Sequence, residues 1–129
     1  MPDWVRVPGE YDGLPGYLLR EVPGFAESPE FELVAANRDL PGVVVGAVGS
    51  YLLRLQKNEI RRETDEAESA ALTRAYEVLE EMASSPDGHV RNALQVEIFE
   101  HLHTNDVVVA AVETRLGPRS GALFRRWAV

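Results

Sequence analysis

Between Thr64 and Ser84 the apolar positions recur with helical spacing. Ala67, Ala71, Leu72, Ala75, Val78, Leu79, Met82 and Ala83 fall on one half of a helical wheel, and Glu66, Ser69, Thr73, Glu77, Glu80 and Glu81 fall on the other. Good helix formers fill both halves, so the segment reads as an amphipathic helix with one face to pack and one to solvate. Ser84-Ser85-Pro86 ends it. Asp87 then supplies an N-cap for a further helix whose core stripe is Val90, Leu94, Ile98, Phe99 and Leu102. Thr104-Asn105-Asp106 closes that helix and caps the next, over 106–115, and Gly117-Pro118 precedes a short terminal helix that docks Ala122, Leu123, Phe124 and Trp127.

Upstream the pattern changes. Ser28-Pro29-Glu30 opens a helix over 29–37, with a capping hydroxyl, a proline in the first turn and an acid near the positive end of the helix dipole. After the break at Leu40-Pro41-Gly42, residues 43–55 are apolar nearly all round. A segment of that kind is a buried helix or a buried strand; its length, with no turn signal before Lys57-Asn58, favours a central helix. Gly46, Gly49 and Ser50 cluster on one side of it, where a neighbouring helix can approach closely. The first 30 residues are punctuated by Pro8-Gly9, Asp12-Gly13, Pro15-Gly16, Pro23-Gly24 and Pro29, yet carry Trp4, Tyr11, Leu14, Tyr17, Leu18, Leu19 and Phe25. So apolar a stretch is a wrap packed on the rest, with a short helix near 16–21, and not a solvated linker.

Successive helices joined by short turns predict an all-α fold of stacked antiparallel helical hairpins behind an irregular Pro/Gly-rich N-terminal wrap. One domain is expected over 1–129, with the wrap at 1–30 and the helical core at 31–127. The alternative is α+β, with the valine-rich runs 43–48 and 107–112 paired as strands.

Composition narrows the function. A chain of 129 residues, 45% hydrophobic, has enough apolar side chains to form a core and is too apolar for a disordered chain. With no cysteine, disulfides, thiolate catalysis and cysteine-ligated metal sites are excluded. No apolar run approaches the ~20 residues of a membrane span, and the Met1-Pro2-Asp3-Trp4 start lacks the pattern of a secretory leader, so a cytoplasmic protein is expected. Charge is segregated: residues 115–129 hold four arginines and no acid, leaving 21 acids against 9 bases over 1–114. So acidic an exterior repels nucleic-acid phosphates and favours encounter with a basic partner.

Two resemblances follow from the motifs. Ser85-Pro86-Asp87-Gly88-His89-Val90-Arg91-Asn92-Ala93-Leu94, running into Ile98-Phe99-Glu100-His101-Leu102, resembles the second helix of a HEAT-type unit. A wider set comprises Phe31-Glu32-Leu33, Asp39-Leu40-Pro41 leading to Val44-Val45-Gly46, Tyr51-Leu52, Val78 through Asp87, Phe99-Glu100-His101-Leu102 and Leu116-Gly117-Pro118. It resembles a family of small bacterial helical proteins of unassigned function over 31–127, leaving the first 30 residues outside. Proteins of this kind resemble the immunity proteins encoded beside polymorphic toxins. That resemblance implies a non-enzymatic protein that binds and blocks one cognate toxin, with no catalytic residue to carry over; the alternative is a HEAT-like adaptor or oligomerisation module.

Candidate chemistry is sparse. Glu97 and His101 share a helix face at i and i+4, with His103 on the other side, but Glu97-x-x-Glu100-His101 lacks the second histidine of a zincin helix. A small metal-dependent enzyme built on this pair is therefore the weakest reading. No serine sits in a nucleophile elbow and no glycine-rich phosphate loop is present, so no catalytic residue, metal or cofactor is assigned. The acidic helix face remains: Glu66, Glu77, Glu80 and Glu81 are the expected docking residues for a basic toxin, with one aromatic among Trp4, Tyr11, Tyr51 and Tyr76 as anchor.

Overall fold

The computed structural model describes residues 10–127, and Trp4 and the side chain of Trp127 lie outside what is described. Every regular element among the described residues is helical. A 3-10 turn at Tyr11–Gly13 leads into α1 (Leu14–Glu21); α2 (Pro29–Glu32) and a second 3-10 turn (Ala35–Asn37) precede α3 (Pro41–Ile60) and α4 (Glu66–Ala83). Then follow α5 (Gly88–Ala93), a π-helical stretch (Leu94–Phe99), α6 (Glu100–Leu102), α7 (Asp106–Arg115) and α8 (Pro118–Trp127).

The helix starts are set by side-chain oxygens. Ser28 accepts from Phe31 N–H, Asp65 from Glu68 N–H, Asp87 from His89 N–H and Asn105 from Val108 N–H, each satisfying a donor that the first turn would leave orphaned. The valine runs proposed as alternative strands are helical, Val43–Val48 inside α3 and Val107–Val112 inside α7. Burial overrides their strand preference: Val44, Val45, Val48, Val108 and Val112 all pack into the core. The helix expected over 29–37 is only α2 followed by the 3-10 turn, and the helix after Asp87 carries a π stretch. Ala67, assigned to the packed half of α4, is exposed.

α3 is the hub. It packs against α1, α2, α4, α6, α7 and the π stretch, which is why it is apolar on most of its circumference. α3 and α4 run antiparallel: Asn58 near the end of α3 bonds Glu68 near the start of α4, and Gln56 accepts from Tyr76 at 2.7 Å further along. Within the described part of the wrap, Leu14, Tyr17, Leu18, Val22 and Phe25 are buried. Tyr11 N–H reaches the Asp87 carboxylate at 2.8 Å, fastening the turn before α1 to the cap of α5.

Where α3 crosses the π stretch and α6, position 49 requires glycine. A Cβ on Gly49 would lie 2.7 Å from His101 Cδ2 and 2.9 Å from the Glu97 carbonyl. At Gly46 the nearest atom is the mobile end of Glu97, at 3.3 Å.

Candidate partner-binding surface

The four docking residues expected on α4 part company in three dimensions. Glu66 and Glu77 remain exposed; they are eleven residues apart, three turns, so they stand on one ridge roughly 16 Å apart. Glu80 turns instead to α8: its carboxylate accepts from Arg119 N–H (3.1 Å), Ser120 N–H (2.9 Å) and the Ser120 hydroxyl (2.9 Å). It thereby caps a helix whose first turn has no acid of its own. Gly117 permits this approach, since a Cβ there would meet the Glu80 carboxylate at 2.5–2.7 Å. Glu81 accepts from the Tyr17 hydroxyl and pairs with Arg74 at 3.1 Å. The expectation that all four project outward together is thus corrected: two of them tie the wrap and the C-terminal helix to α4.

Other carboxylates serve the fold in the same way. Glu21 pairs with Arg74 at 2.6 Å, Glu30 holds Arg54 through two bonds of 2.7 and 3.0 Å, and Glu59 pairs with Arg115. The guanidinium bonds hold Glu21 and Glu30 below the usual carboxylate range, and backbone N–H bonds from His89 and Tyr11 do the same for Asp87. Glu59 also accepts from Gln56, a fully buried amide that in turn receives the Tyr76 hydroxyl.

Two of the aromatic anchors are therefore core residues. Tyr76 is buried in that network, and Tyr51 is buried with its hydroxyl on the Pro23 carbonyl at 2.7 Å; burial pushes both phenols above their ordinary value. Tyr11 is half-buried beside His89.

Glu97 and His101 do share a face, but that face is the crossing with Gly46 and Gly49 of α3. Among the described residues no group of three His, Asp or Glu is placed to hold a metal ion. His103 faces elsewhere, stacked on Phe124 at 4.0 Å with its Nε2 buried and without a partner among the described residues; burial holds its pKa below the ordinary value.

The carboxylates left without a bonding partner among the described residues include Glu27, Glu32, Asp39, Glu66, Glu100 and Glu113, all exposed. Exposed with them are two large apolar side chains in the connection before α3, Leu33 at 87% and Leu40 at 48%. Neither figured among the expected site residues. The sequence carries one sign of them: Leu40 occupies the N-cap of α3, where a short polar side chain is the usual choice.

A family model described as a domain of unknown function, DUF7674, matches residues 15–128 and so begins inside the wrap rather than after it. No curated protein and no solved structure matches the chain.

Proposed function

This chain belongs to the DUF7674 family, a domain of unknown function, and from that premise we propose that it is a non-enzymatic binding protein that holds a basic macromolecular partner against its acidic exterior. The reading rests on one observation. Arg54, Arg74 and Arg115 are taken up in ion pairs with Glu30, Glu21, Glu81 and Glu59, and outside these the unpaired carboxylates outweigh exposed arginines such as Arg38, Arg61 and Arg62, in keeping with the net charge of −8. Such a field raises the association rate of a cationic protein and disfavours polyanions. The partner we propose is a cognate bacterial toxin, sequestered as an immunity protein would sequester it; the motif resemblance in the sequence supports that step.

Co-expression with the product of the neighbouring gene, expected to be a toxin, tests the reading. Rescue of growth and a stable one-to-one complex are expected; absence of both overturns it. Within such a complex, Glu66→Lys with Glu77→Lys slows association several-fold and flattens its salt dependence, leaving dissociation nearly unchanged. A stable homo-oligomer by light scattering, with no toxin bound, would favour a HEAT-like adaptor instead.

A further inference from the structure

We propose that the connection between α2 and α3 is the docking knuckle of this protein, with Leu33 and Leu40 as apolar anchors for a basic amphipathic helix of a partner protein, its apolar stripe flanked by lysine or arginine. The proposal rests on the reading above only in taking the partner to be basic.

Leu33 is the most exposed large hydrophobic side chain among the described residues, at 87%; Val107 on α7 is next at 62%, but Leu40, 48% exposed, is the one that shares a connection with Leu33. Neither is explained by folding. Leu33 gives almost all its surface to water, and Leu40 sits at an N-cap with no side-chain bond to offer the helix, where Ser, Thr, Asp or Asn would serve better. Contiguous exposed apolar surface rimmed by polar side chains marks an interaction site, and these two leucines belong to one short connection.

The rim indicates which partner. Residues 27–40 contain four acids and one base. Glu30 is neutralised by Arg54 at 2.7 Å, whereas Glu27, Glu32 and Asp39 are exposed without partners among the described residues. With Arg38 as the one exposed base among them, these three acids leave the segment negative, and an apolar centre in a negative segment complements an apolar stripe flanked by positive charge.

The knuckle is also held in shape before any partner arrives. Leu33 N–H bonds Pro29 O at 3.2 Å, Val34 N–H bonds Phe31 O at 2.9 Å, Asn37 N–H bonds Val34 O at 2.8 Å and Leu40 N–H bonds Asn37 O at 2.9 Å. Below it, Phe31 meets the buried Phe25 edge-on at 5.4 Å. A preorganised loop loses little conformational freedom on binding.

The test uses the full chain, isotope-labelled and titrated with a 16-residue helical peptide of lysine and leucine. A peptide with serine replacing every leucine is the control. Amide shifts are expected to concentrate at residues 29–40. Leu33→Asp with Leu40→Asp, and separately the serine peptide, should each weaken binding at least about tenfold, with the variant's urea midpoint not lowered. Shifts centred elsewhere, or a variant that binds as tightly as the parent, overturn the proposal. The toxin experiment separates the two claims. If the peptide seats at 29–40 and the neighbouring toxin is not neutralised, the knuckle stands and the immunity reading falls. If the toxin is neutralised equally by parent and double variant, the knuckle falls and the immunity reading stands.

Discussion

Glu80 and Glu77 are three residues apart on one helix and do unrelated things. Glu80 satisfies two backbone donors and a hydroxyl at the start of α8, whereas Glu77 is half in water with only a 3.8 Å contact to Arg74. Glu80→Ala should therefore lower the unfolding free energy by about 1–2 kcal/mol in urea, and Glu77→Ala by no more than about 0.5 kcal/mol. Leu40→Asp should move the other way, raising stability by about 0.5–1 kcal/mol through a proper cap on α3, while weakening partner binding. A gain in stability coupled to a loss of binding would identify Leu40 as a residue kept for recognition. His103 adds a pH term. Its folded pKa lies below the ordinary 6.5 because burial disfavours the imidazolium. Its contribution is full above that value and is lost as pH falls through it toward the folded pKa. In His103→Phe, which keeps an aromatic ring beside Phe124, the fall in unfolding free energy between pH 7 and 5 should be shallower than in the parent.

At the scale of elements, the crossing of α3 with the π stretch and α6 is closely constrained. Two glycines there face different neighbours, and the difference decides the sign of a substitution. Gly→Ala inside a helix gains up to about 1 kcal/mol from propensity alone. At Gly46 the obstructing atom is a carboxylate oxygen at the end of a flexible side chain, so Gly46→Ala should be neutral or stabilising. At Gly49 the new methyl meets a backbone carbonyl at 2.9 Å as well as the His101 ring; overpacking of this kind costs about 1–3 kcal/mol and outweighs propensity. Gly49→Ala should lower the thermal midpoint, and equal midpoints for the two variants would contradict this account of the crossing.

For the whole molecule, side-chain tethers hold the periphery to the α3–α4 hairpin: Glu21–Arg74–Glu81–Tyr17 and Tyr51–Pro23 for the wrap, Glu30–Arg54 for α2, Glu59–Arg115 for α7, and Glu80–Ser120 for α8. Glu21, Glu30 and Asp87 titrate below their ordinary values of 4.5, 4.5 and 3.8. Their stabilisation is present above those values and is lost as pH falls through the folded ones. Acid unfolding should accordingly begin below about pH 4.5 and loosen the wrap first, which hydrogen exchange of the α1 amides against those of α3 would register.

Much of this architecture was legible in the order of residues. Ser28, Asp87 and Asn105 announce helix starts because capping is a contact between neighbours in sequence, and the α4 stripe is periodic because one face meets a core. Three things were not. The valine runs 43–48 and 107–112 have the same strand preference in either fold, and only their burial against several helices at once made them helical. Ala67 satisfies the wheel yet ends up in solvent, since α3 reaches the first turn of α4 on the side of Glu68. Glu80 and Glu81 look like Glu66 and Glu77 on a wheel, and what separates them is the arrival of α8 and the wrap from distant parts of the chain. The sequence by itself determined where helices begin, which faces are apolar and how much negative charge the surface carries, all properties of local order and composition. Which carboxylates are left free to meet a partner was decided by tertiary structure, because a side chain's role depends on what packs beside it, and those neighbours lie about 40 to 64 residues away.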